Sequence, residues 1–371
     1  MIYLTNYRTA SSNHVELMSD IEYPQKVHWF PETYKRVSSG LFYAPHRLAE
    51  KVLDPELVTH LRENKVGKTA FIFAAGNSHL AGISPRMKAP TQLSYEYKFL
   101  PFTLTQVYAG RMAQALGATD HIVTDSTACA SSLKALMDVQ TLITMYGFDR
   151  VIVLSFEDAV SNSVLEFFGE AQASLTQKDE EKGVLPSAFD ETNYGFYVGQ
   201  GAVLSVFDSP KVVFAGKSNP LASLRGAYTA SEECNNAIGQ LEDGQGFSRA
   251  IEGALGVAKE KAYRVRLVKT HGTGTLSNNK AEKTALLSAL KDFIATSYKA
   301  KIGHTMGASG LLETCLLLDD LKRGVVPKIE NRTTHDTQFL SHDASDPGGL
   351  ILSLAAGMGN VYSAAILSLE I

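Results

Sequence analysis

Residues 125–133 read DSTACASSL and are followed by the helix-like run ALMDVQTLITMYG at residues 135–147. The small residues around the cysteine favour a tight turn, so Cys129 is predicted to lie at the N-terminus of a helix. The helix dipole and the unpaired backbone N–H groups there would favour a thiolate and could hold an oxyanion. This stretch alone leaves two interpretations open: a cysteine buried at the start of a core helix, or a nucleophile.

Short runs of β-branched and aromatic residues alternate with helix-like stretches along the rest of the chain, as in α/β proteins. These runs are apolar on both faces, as strands must be when helices cover both sides of their sheet. The pattern therefore predicts a layered α/β fold. The strand candidates are residues 70–73 (AFIF), 151–154 (VIVL), 203–207 (VLSVF), 265–268 (VRLV) and 350–354 (LILSL).

Two segments look like imperfect copies of each other, and each would end one half of the chain. Residues 195–208 read GFYVGQGAVLSVFD and residues 357–370 read GMGNVYSAAILSLE, a glycine-rich turn followed by an apolar strand in both cases. Similarities this short are compatible with duplication and with chance. Because no Pro/Gly/Ser linker divides the chain, we expect two halves, residues 1–208 and 209–371, within one compact body.

The composition is that of an ordinary globular protein, with 44% hydrophobic and 20% charged residues among 371. A formal net charge of -4 disfavours a nucleic-acid partner. No apolar run approaches the roughly 20 residues that span a bilayer, and the N-terminus lacks the layout of a signal peptide. We therefore expect a cytoplasmic protein without a membrane span.

The three cysteines, Cys129, Cys234 and Cys315, do not form a CxxC pair. Their spacing suggests neither a disulfide framework nor a zinc site, so no metal is expected. In a reducing compartment a free cysteine is either a small buried apolar residue or a nucleophile, and only its surroundings decide between these roles.

Two histidines follow strand-like runs and are flanked by glycines. His271 lies in VKTHGTGT at residues 268–275, and His304 lies in KAKIGHTMGASG at residues 299–310. Strand ends are where α/β folds gather catalytic groups. Each histidine alone could be structural. Together with Cys129, however, they form the minimum set for thiol nucleophilic catalysis with polar activation of a carbonyl group.

The segments DSTACASSL, HGTGTLSNNKAE and SYKAKIGHTMGASG, in this order, resemble the three signature motifs of Cys-His-His β-ketoacyl-acyl carrier protein synthases. The resemblance covers residues 100–371 and implies the thiolase fold, a five-layered αβαβα sandwich of two duplicated halves, in a dimer. It also implies an acyltransferase that performs decarboxylative Claisen condensation in fatty acid or type II polyketide synthesis. The substrates would ride on the phosphopantetheine arm of acyl carrier protein, with no other cofactor.

The resemblance implies a role for each matching residue. Cys129 would accept the acyl chain, while His271 and His304 would bind the thioester carbonyl of a malonyl extender and promote its decarboxylation. The histidines would act as neutral N–H donors to the enolate oxygen. Lys299 and Glu282 match the lysine and the glutamate that support this site in the family.

The acyl side of the site departs from the family pattern. The backbone N–H groups of Cys129 and Met358 are expected to form the oxyanion hole, and the acyl pocket or gate is expected at Met358, Phe168 and Phe167. The usual Gly-Phe-Gly-Gly turn reads GMGN at residues 357–360, so a flexible thioether replaces the aromatic gate.

Three charges that the family usually has are missing. Asn193, Gln200 and Asn279 stand where an arginine, a glutamate and an aspartate are usual. Neutral replacement of several members together can leave a satisfied network, so we expect altered buried ion pairs and unaltered chemistry.

Several alternatives stay open at this level. A thiolase is disfavoured because Met358 stands where its second cysteine would be, and an initiating Cys-His-Asn synthase is disfavoured by His304. A non-condensing subunit resembling a chain-length factor is the alternative function, and both a homodimer and a heterodimer are compatible with the sequence. Because carrier proteins are acidic, residues 60–68 (HLRENKVGK) are a candidate docking patch, although a solvated helix end is the favoured interpretation.

Overall fold

The computed structural model describes residues 1–19, 21–30, 34–37, 40–43, 46–76 and 104–370. The strands of this part of the chain are β1 (Ile2–Ser11), β2 (Val15–Met18), β3 (Gln25–His28), β4 (Tyr34–Val37), β5 (Gly40–Tyr43), β6 (Thr69–Ala74), β7 (His121–Asp125), β8 (Arg150–Glu157), β9 (Val198–Gly199), β10 (Gly201–Asp208), β11 (Ala222–Ser231), β12 (Val265–Lys269), β13 (Ile294–Thr296), β14 (Val325–Val326), β15 (Ala344–Ser345), β16 (Leu350–Gly357) and β17 (Val361–Leu369).

The helices of the same residues are α1 (His46–Glu50), α2 (Pro55–Glu63), α3 (Thr105–Leu116), α4 (Ser131–Thr144), α5 (Asn162–Glu170), α6 (Gln177–Glu181), α7 (Pro210–Phe214), α8 (Gln245–Ala258), α9 (Leu276–Ala289), α10 (Lys299–Ile302) and α11 (Ser309–Lys322). Short 3₁₀ turns lie at Ala128–Ala130, Ala262–Arg264 and Met306–Ala308. The five strands proposed from the sequence fall within β6, β8, β10, β12 and β16, so those predictions are confirmed.

The main sheet has ten strands, and its two halves repeat one topology. The first half is arranged β1-β10-β8-β6-β7 and the second β11-β17-β16-β12-β13. Numbered along the chain within each half, both orders are 1-5-4-2-3. The first two pairings are antiparallel and the last two parallel in each half. The predicted duplication is therefore present in the strand order and in the strand directions.

The halves join where β1 pairs antiparallel with β11. Both joining strands carry a register shift two or three residues from their start, between Leu4 and Asn6 in β1 and between Leu224 and Gly226 in β11. We propose the boundary between the halves at residues 208 and 209, where β10 ends.

Helices α4 and α11 lie between the two halves of the sheet. Helix α4 contacts β8 and β6 of the first half and β11 and β17 of the second, and α11 contacts β1, β10, β16 and β12. Their leucines and valines form one core cluster with strand residues from both halves. Helices α1, α2 and α3 cover the outer face of the first half, and α8 and α9 cover that of the second. The layers are thus αβαβα, as predicted.

Strands β8 and β10 explain the apolar runs that are seen in the sequence. All eight residues of each strand are buried, since helices lie on both sides of the sheet. Each fully buried large aliphatic side chain stabilises the fold by about 1.5–3 kcal/mol relative to its exposed state. Within the described residues, no helix is long and apolar enough to cross a membrane.

The candidate docking patch at residues 60–68 lies away from the predicted site. Lys68 immediately precedes β6, whereas Cys129 follows β7, which runs parallel to β6. The two segments therefore lie at opposite ends of these strands, roughly 16–20 Å apart for five or six residues. The favoured interpretation of this segment, a solvated helix end, fits its exposure, and docking of a carrier protein there stays a prediction.

Candidate active site

Cys129 lies on the short turn that connects β7 to α4. Ala128 has a left-handed φ of 48°, the 3₁₀ turn covers Ala128–Ala130, and α4 begins at Ser131. The hydroxyl of Ser131 donates to the carbonyl of Ala128 at 2.6 Å and so closes the turn. The side chain of Cys129 is 6% exposed. The sequence prediction of a cysteine at the start of a helix is therefore met.

The second half of the chain repeats this turn without a thiol. Met306 has a φ of 45°, its 3₁₀ turn covers Met306–Ala308, and α11 follows. Gly310 lets the two helices approach, because a Cβ on it would lie 2.7 Å from the Cβ of Leu133. The sulfur atoms of Cys129 and Met306 are consequently 3.9 Å apart, and Gly307 takes the place that Cys129 has in the first half.

The backbone of His271 is held from two sides. Its N–H donates to Oε1 of Glu282 at 2.5 Å, and the N–H of Gly272 donates to Oε2 at 2.9 Å. Its carbonyl accepts from Nζ of Lys299 at 2.5 Å. Glu282 and Lys299 thus position His271 and are not among the residues that line the pocket.

His304 is fixed through its own main chain and by aromatic packing. Its N–H donates to the carbonyl of Tyr197 at 2.7 Å, and its carbonyl accepts from Gly199 at 2.9 Å. Phe196 meets the imidazole edge-on, with 5.0 Å between ring centroids. The ring centroids of His271 and His304 are 5.6 Å apart, so both imidazoles can donate hydrogen bonds to the same oxygen atom of a substrate.

Both histidines are buried, and both are held in the neutral form. Burial lowers the pKa of each imidazole well below its usual value, and the charge of Lys299 lowers it further. Among the residues that the structure describes, neither Nδ1 atom has a hydrogen-bond partner. Neutral imidazoles can each offer one N–H donor to a developing oxyanion.

The thiol of Cys129 differs from the expectation. We predicted that the helix terminus would favour the thiolate, but burial is the largest influence and raises the pKa of Cys129 to about 12. Lys299 lowers this pKa and Glu157 raises it, both to a smaller extent. Removal of the thiolate from water outweighs the lowering effects of Lys299 and of the backbone N–H of Cys129, so the resting group is a thiol.

Motif reasoning missed two buried charges, Glu313 and Lys269. Oε1 of Glu313 accepts from Nζ of Lys299 at 2.8 Å, and Oε2 lies 3.3 Å from Nζ of Lys269. All three side chains are almost wholly buried. A sequence signal was available, because Glu313 interrupts the apolar run SGLLETCLLL of a core helix, where an unpaired charge would be costly.

One cavity of about 90 Å³ brings Cys129, His271 and His304 together. A loop that sequence reasoning did not assign also contributes to its wall, with Ile238, Gly239 and Gln240. This loop belongs to none of the three motifs, so sequence reasoning gave it no role.

The three predicted pocket residues all line this cavity but differ in depth. Phe168 is 5% exposed and packs edge-on against Phe196, with centroids 5.8 Å apart, whereas Phe167 is 44% exposed. Met358 is partly buried on the turn after Gly357. A Cβ on Gly357 would lie 2.5 Å from the carbonyl oxygen of Thr127, so this turn touches the cysteine turn.

The side-chain amides of Gln200, Asn193 and Asn279, which replace charged residues of the family, each donate one hydrogen bond through nitrogen and accept one through oxygen. This agrees with the expectation that they leave a satisfied network. The contacts are Gln200 to Asp158 (2.9 Å) and from Phe30 (2.8 Å), Asn193 to Asn331 (2.7 Å) and from Leu185 (3.0 Å), and Asn279 to Gly274 (3.4 Å) and from Phe189 (3.0 Å).

No group of three or more His, Cys, Asp or Glu side chains in the described ranges is arranged to hold a metal ion. The cavity instead presents one thiol, two neutral imidazoles and backbone N–H groups. Such a set can form a thioester and stabilise negative charge on a carbonyl oxygen.

Comparison with known proteins places this geometry in a family. Residues 50–209 match the N-terminal domain of beta-ketoacyl synthase and residues 221–333 match its C-terminal domain, together more than half of the chain. A relative from Streptomyces glaucescens, the tetracenomycin polyketide synthase ketoacyl synthase alpha subunit, is 26% identical over 285 residues, which are 74% of this chain and 66% of that protein. The 3-oxoacyl-acyl-carrier-protein synthase 2 of Vibrio harveyi is 27% identical over 266 residues, 70% of this chain and 62% of that protein.

The chain thus spans slightly less than two thirds of the length of these relatives. Among solved structures, a type II polyketide synthase acyl-carrier protein in complex with its ketosynthase bound to the hexaketide matches with a TM-score of 0.84. Its identity is 17%, and the match covers 100% of this chain and 99% of that one, which confirms the thiolase-like fold. With both of its domain models matched in order on this five-layered fold, the chain belongs to the beta-ketoacyl synthase family.

Proposed function

We propose that this chain is a β-ketoacyl synthase that condenses an acyl group on Cys129 with malonyl-acyl carrier protein, in fatty acid or type II polyketide synthesis. One observation carries the proposal. Cys129, His271 and His304 come from distant parts of the chain and from both of its halves, yet they line a single cavity. A core that needed only packing would have no reason to gather a thiol and two neutral imidazoles at one pocket.

In the first step the sulfur of Cys129 attacks the carbonyl carbon of the incoming acyl thioester. The bond from that carbon to the carrier's sulfur breaks, and the carrier thiol leaves with the proton that Cys129 loses. Because the resting thiol is protonated, its proton must pass to the departing carrier sulfur as the new bond forms. Contact between the turns of Cys129 and Gly357 supports an oxyanion hole made by the N–H groups of Cys129 and Met358.

In the second step the malonyl thioester loses carbon dioxide. The electron pair of the broken carbon–carbon bond becomes an enolate, whose oxygen accepts hydrogen bonds from His271 and His304. The enolate carbon then attacks the Cys129 thioester, the bond from the acyl carbon to the cysteine sulfur breaks, and the released thiolate takes a proton from water. Lys299 and Glu282 keep the His271 main chain in place during these changes.

No cofactor beyond the carrier's phosphopantetheine arm is part of this proposal. Every step is an acyl transfer, a decarboxylation or a proton transfer, and groups of the cavity supply the hydrogen-bond donors and the nucleophile. A cytoplasmic location stays a prediction.

The proposal is tested by mixing the purified chain with acyl carrier protein loaded with acyl or malonyl groups. Mass spectrometry follows the acyl adduct on Cys129, and the release of carbon dioxide is followed in parallel. We expect both to occur. If Cys129 is not acylated alone or with any ketosynthase-like partner subunit, the enzyme proposal fails, and the non-condensing chain-length-factor role takes its place.

A dimer, with itself or with a ketosynthase-like subunit, is the second part of the proposal. Strand β7 is the outer strand of the first half of the sheet in the described chain, and most of its residues are exposed. Ile122 on it is 40% exposed. An uncovered edge strand with an apolar side chain is a site for pairing with a second chain.

Ile122→Lys is therefore expected to shift the protein towards monomer, because the lysine would have to be buried in that contact. Light scattering after size-exclusion chromatography measures the change. Val257→Lys on α8 is the matched control, since Val257 has the same 40% exposure on the outer face of the other half. Equal masses for the two variants would contradict the β7 interface.

Phe168→Ala is expected to change the chain-length preference of Cys129 acylation, whereas Phe167→Ala is not. Phe168 is buried against Phe196 and restricts the cavity beside the cysteine, while Phe167 lies at its rim. Removing the buried ring leaves space that a longer acyl chain can fill. Competition between carrier-bound chains of different lengths, read as the adducts on Cys129, measures this, and the same shift in both variants would contradict it.

A further inference from the structure

A second buried lysine lies behind the active site. Lys269 ends β12, two residues before His271, and is 0% exposed. Its Nζ donates to the carbonyl of Leu354 on β16 at 2.7 Å and lies 3.3 Å from Oε2 of Glu313. Lys269 does not line the catalytic cavity, and the sequence motifs gave it no role.

A continuous set of contacts leads from Lys269 to His271. Lys269 holds one oxygen of Glu313, Glu313 holds Lys299 through its other oxygen, and Lys299 donates to the carbonyl of His271. Leu354 belongs to the strand that ends at Gly357, beside the cysteine turn. Lys269 therefore connects the strand of the Met358 turn to the support of His271.

Two buried lysines share one carboxylate in this region. Lys299 contacts one oxygen of Glu313, and Lys269 contacts the other. Glu282, the other acid next to His271, uses both of its oxygens for the N–H groups of His271 and Gly272 and for Asn278. Glu157 accepts from the N–H groups of Gly76 and Gly307. Among the residues that the structure describes, the buried charged groups of this region include Lys269 from β12, Lys299 from α10, Glu313 from α11, Glu282 from α9 and Glu157 from β8.

We propose that Lys269 is a positioning residue for decarboxylation, which fixes the Glu313–Lys299 pair behind His271 and supplies a second buried positive charge that favours the enolate. This inference rests on the proposed function. A positive charge in a low-dielectric interior acts over several ångströms, so it stabilises negative charge on the substrate without touching it. An ammonium group is retained in such a place only when it is hydrogen-bonded and paired, as Lys269 is.

The charge on Lys269 should respond to pH within an accessible range. Burial lowers the pKa of Lys269 to about 8, and Glu313 opposes this shift. A lysine is charged below its pKa, so the stabilising charge is present at pH 7 and is lost as the pH rises through about 8. The native protein should accordingly show a decline in the kcat of carbon dioxide release from malonyl-carrier protein between about pH 7.5 and 9.

The test compares the native protein with Lys269→Met, which keeps the length of the side chain and removes its charge. We expect kcat at pH 7 to fall about tenfold, the KM for malonyl-carrier protein to change less than about twofold, and the decline near pH 8 to disappear. The matched control is Lys301→Met, which removes an exposed lysine of α10 two residues after Lys299 and should keep the native profile. Thermal melting checks that each variant is folded.

Each outcome decides the question. A folded Lys269→Met protein that keeps the native kcat, or keeps the decline near pH 8, overturns the inference. If that variant does not fold, the native profile still decides, because a kcat that does not decline between pH 7.5 and 9 contradicts the role of Lys269. A native protein that releases no carbon dioxide at any pH contradicts the proposed function itself, which is a different result.

Discussion

Cys129→Ala is expected to abolish acyl transfer, by at least about 1,000-fold, and to leave malonyl decarboxylation in place. The reason is that different residues of the cavity are proposed to carry out the two reactions. Among the described residues, Cys129 is the one thiol that lines the cavity, whereas His271 and His304 are the proposed hydrogen-bond donors to the enolate oxygen. The measurement is the mass of the acyl adduct on the intact protein, together with the carbon dioxide released from malonyl-carrier protein.

Cys315→Ala is the matched control for this variant. Cys315 is buried as well, and burial raises its pKa to about 12, as it does for Cys129. It lies in the central core, 3.6 Å from the hydroxyl of Ser205, and does not line the catalytic cavity. Loss of its thiol should leave the adduct unchanged. An acyl adduct that persists in Cys129→Ala would show that another group is the nucleophile.

His304→Ala is expected to slow decarboxylation by about 100- to 1,000-fold while Cys129 is still acylated. His304 supplies one of two neutral donors, and its removal leaves the enolate oxygen with a single imidazole partner. The ring of His304 packs edge-on against Phe196, and its main chain is bonded to Tyr197 and Gly199, so its position is fixed before substrate binds. Single-turnover release of carbon dioxide measures the effect.

His28→Gln separates this effect from the loss of any buried histidine. The pKa of His28 is also lowered by burial, but its ring bonds to the carbonyl of Ser12 and lies outside the cavity. This variant should decarboxylate malonyl-carrier protein at the native rate. An equal loss in both variants would mean that His304 acts through the fold alone, and the role proposed for it would then be wrong.

The strands that the sequence predicted are covered on both faces, whereas β7, which it did not predict, lies at the edge of the sheet. Strands β8 and β10 are buried on both faces, and their continuous apolar runs made them visible in the sequence. Strand β7 reads HIVTD and lies at the edge of the sheet, where one side has no neighbouring strand in the described chain. Its extended conformation depends on pairing with β6, a long-range contact that no local pattern reports.

The amino-acid sequence by itself determined the family, the nucleophile turn and both histidine turns. These depend on local chemistry: small residues permit the turn at Cys129, and glycines with φ of 55° and 76° follow His271. The conformation of such a turn depends on residues within a few positions of the cysteine or histidine, so the sequence is enough to predict it.

Only the tertiary structure decided the quantities that depend on distant neighbours. Burial decided that the resting group is a thiol, although the helix terminus alone favours a thiolate. Folding also brought Lys269 and Glu313 together from 44 residues apart. It placed residues 60–68 at the far end of the sheet and ordered Phe167 and Phe168 by depth. Desolvation and ion pairing act through space. The direction in which they shift the pKa of Cys129 is therefore decided only when the folded chain surrounds the thiol.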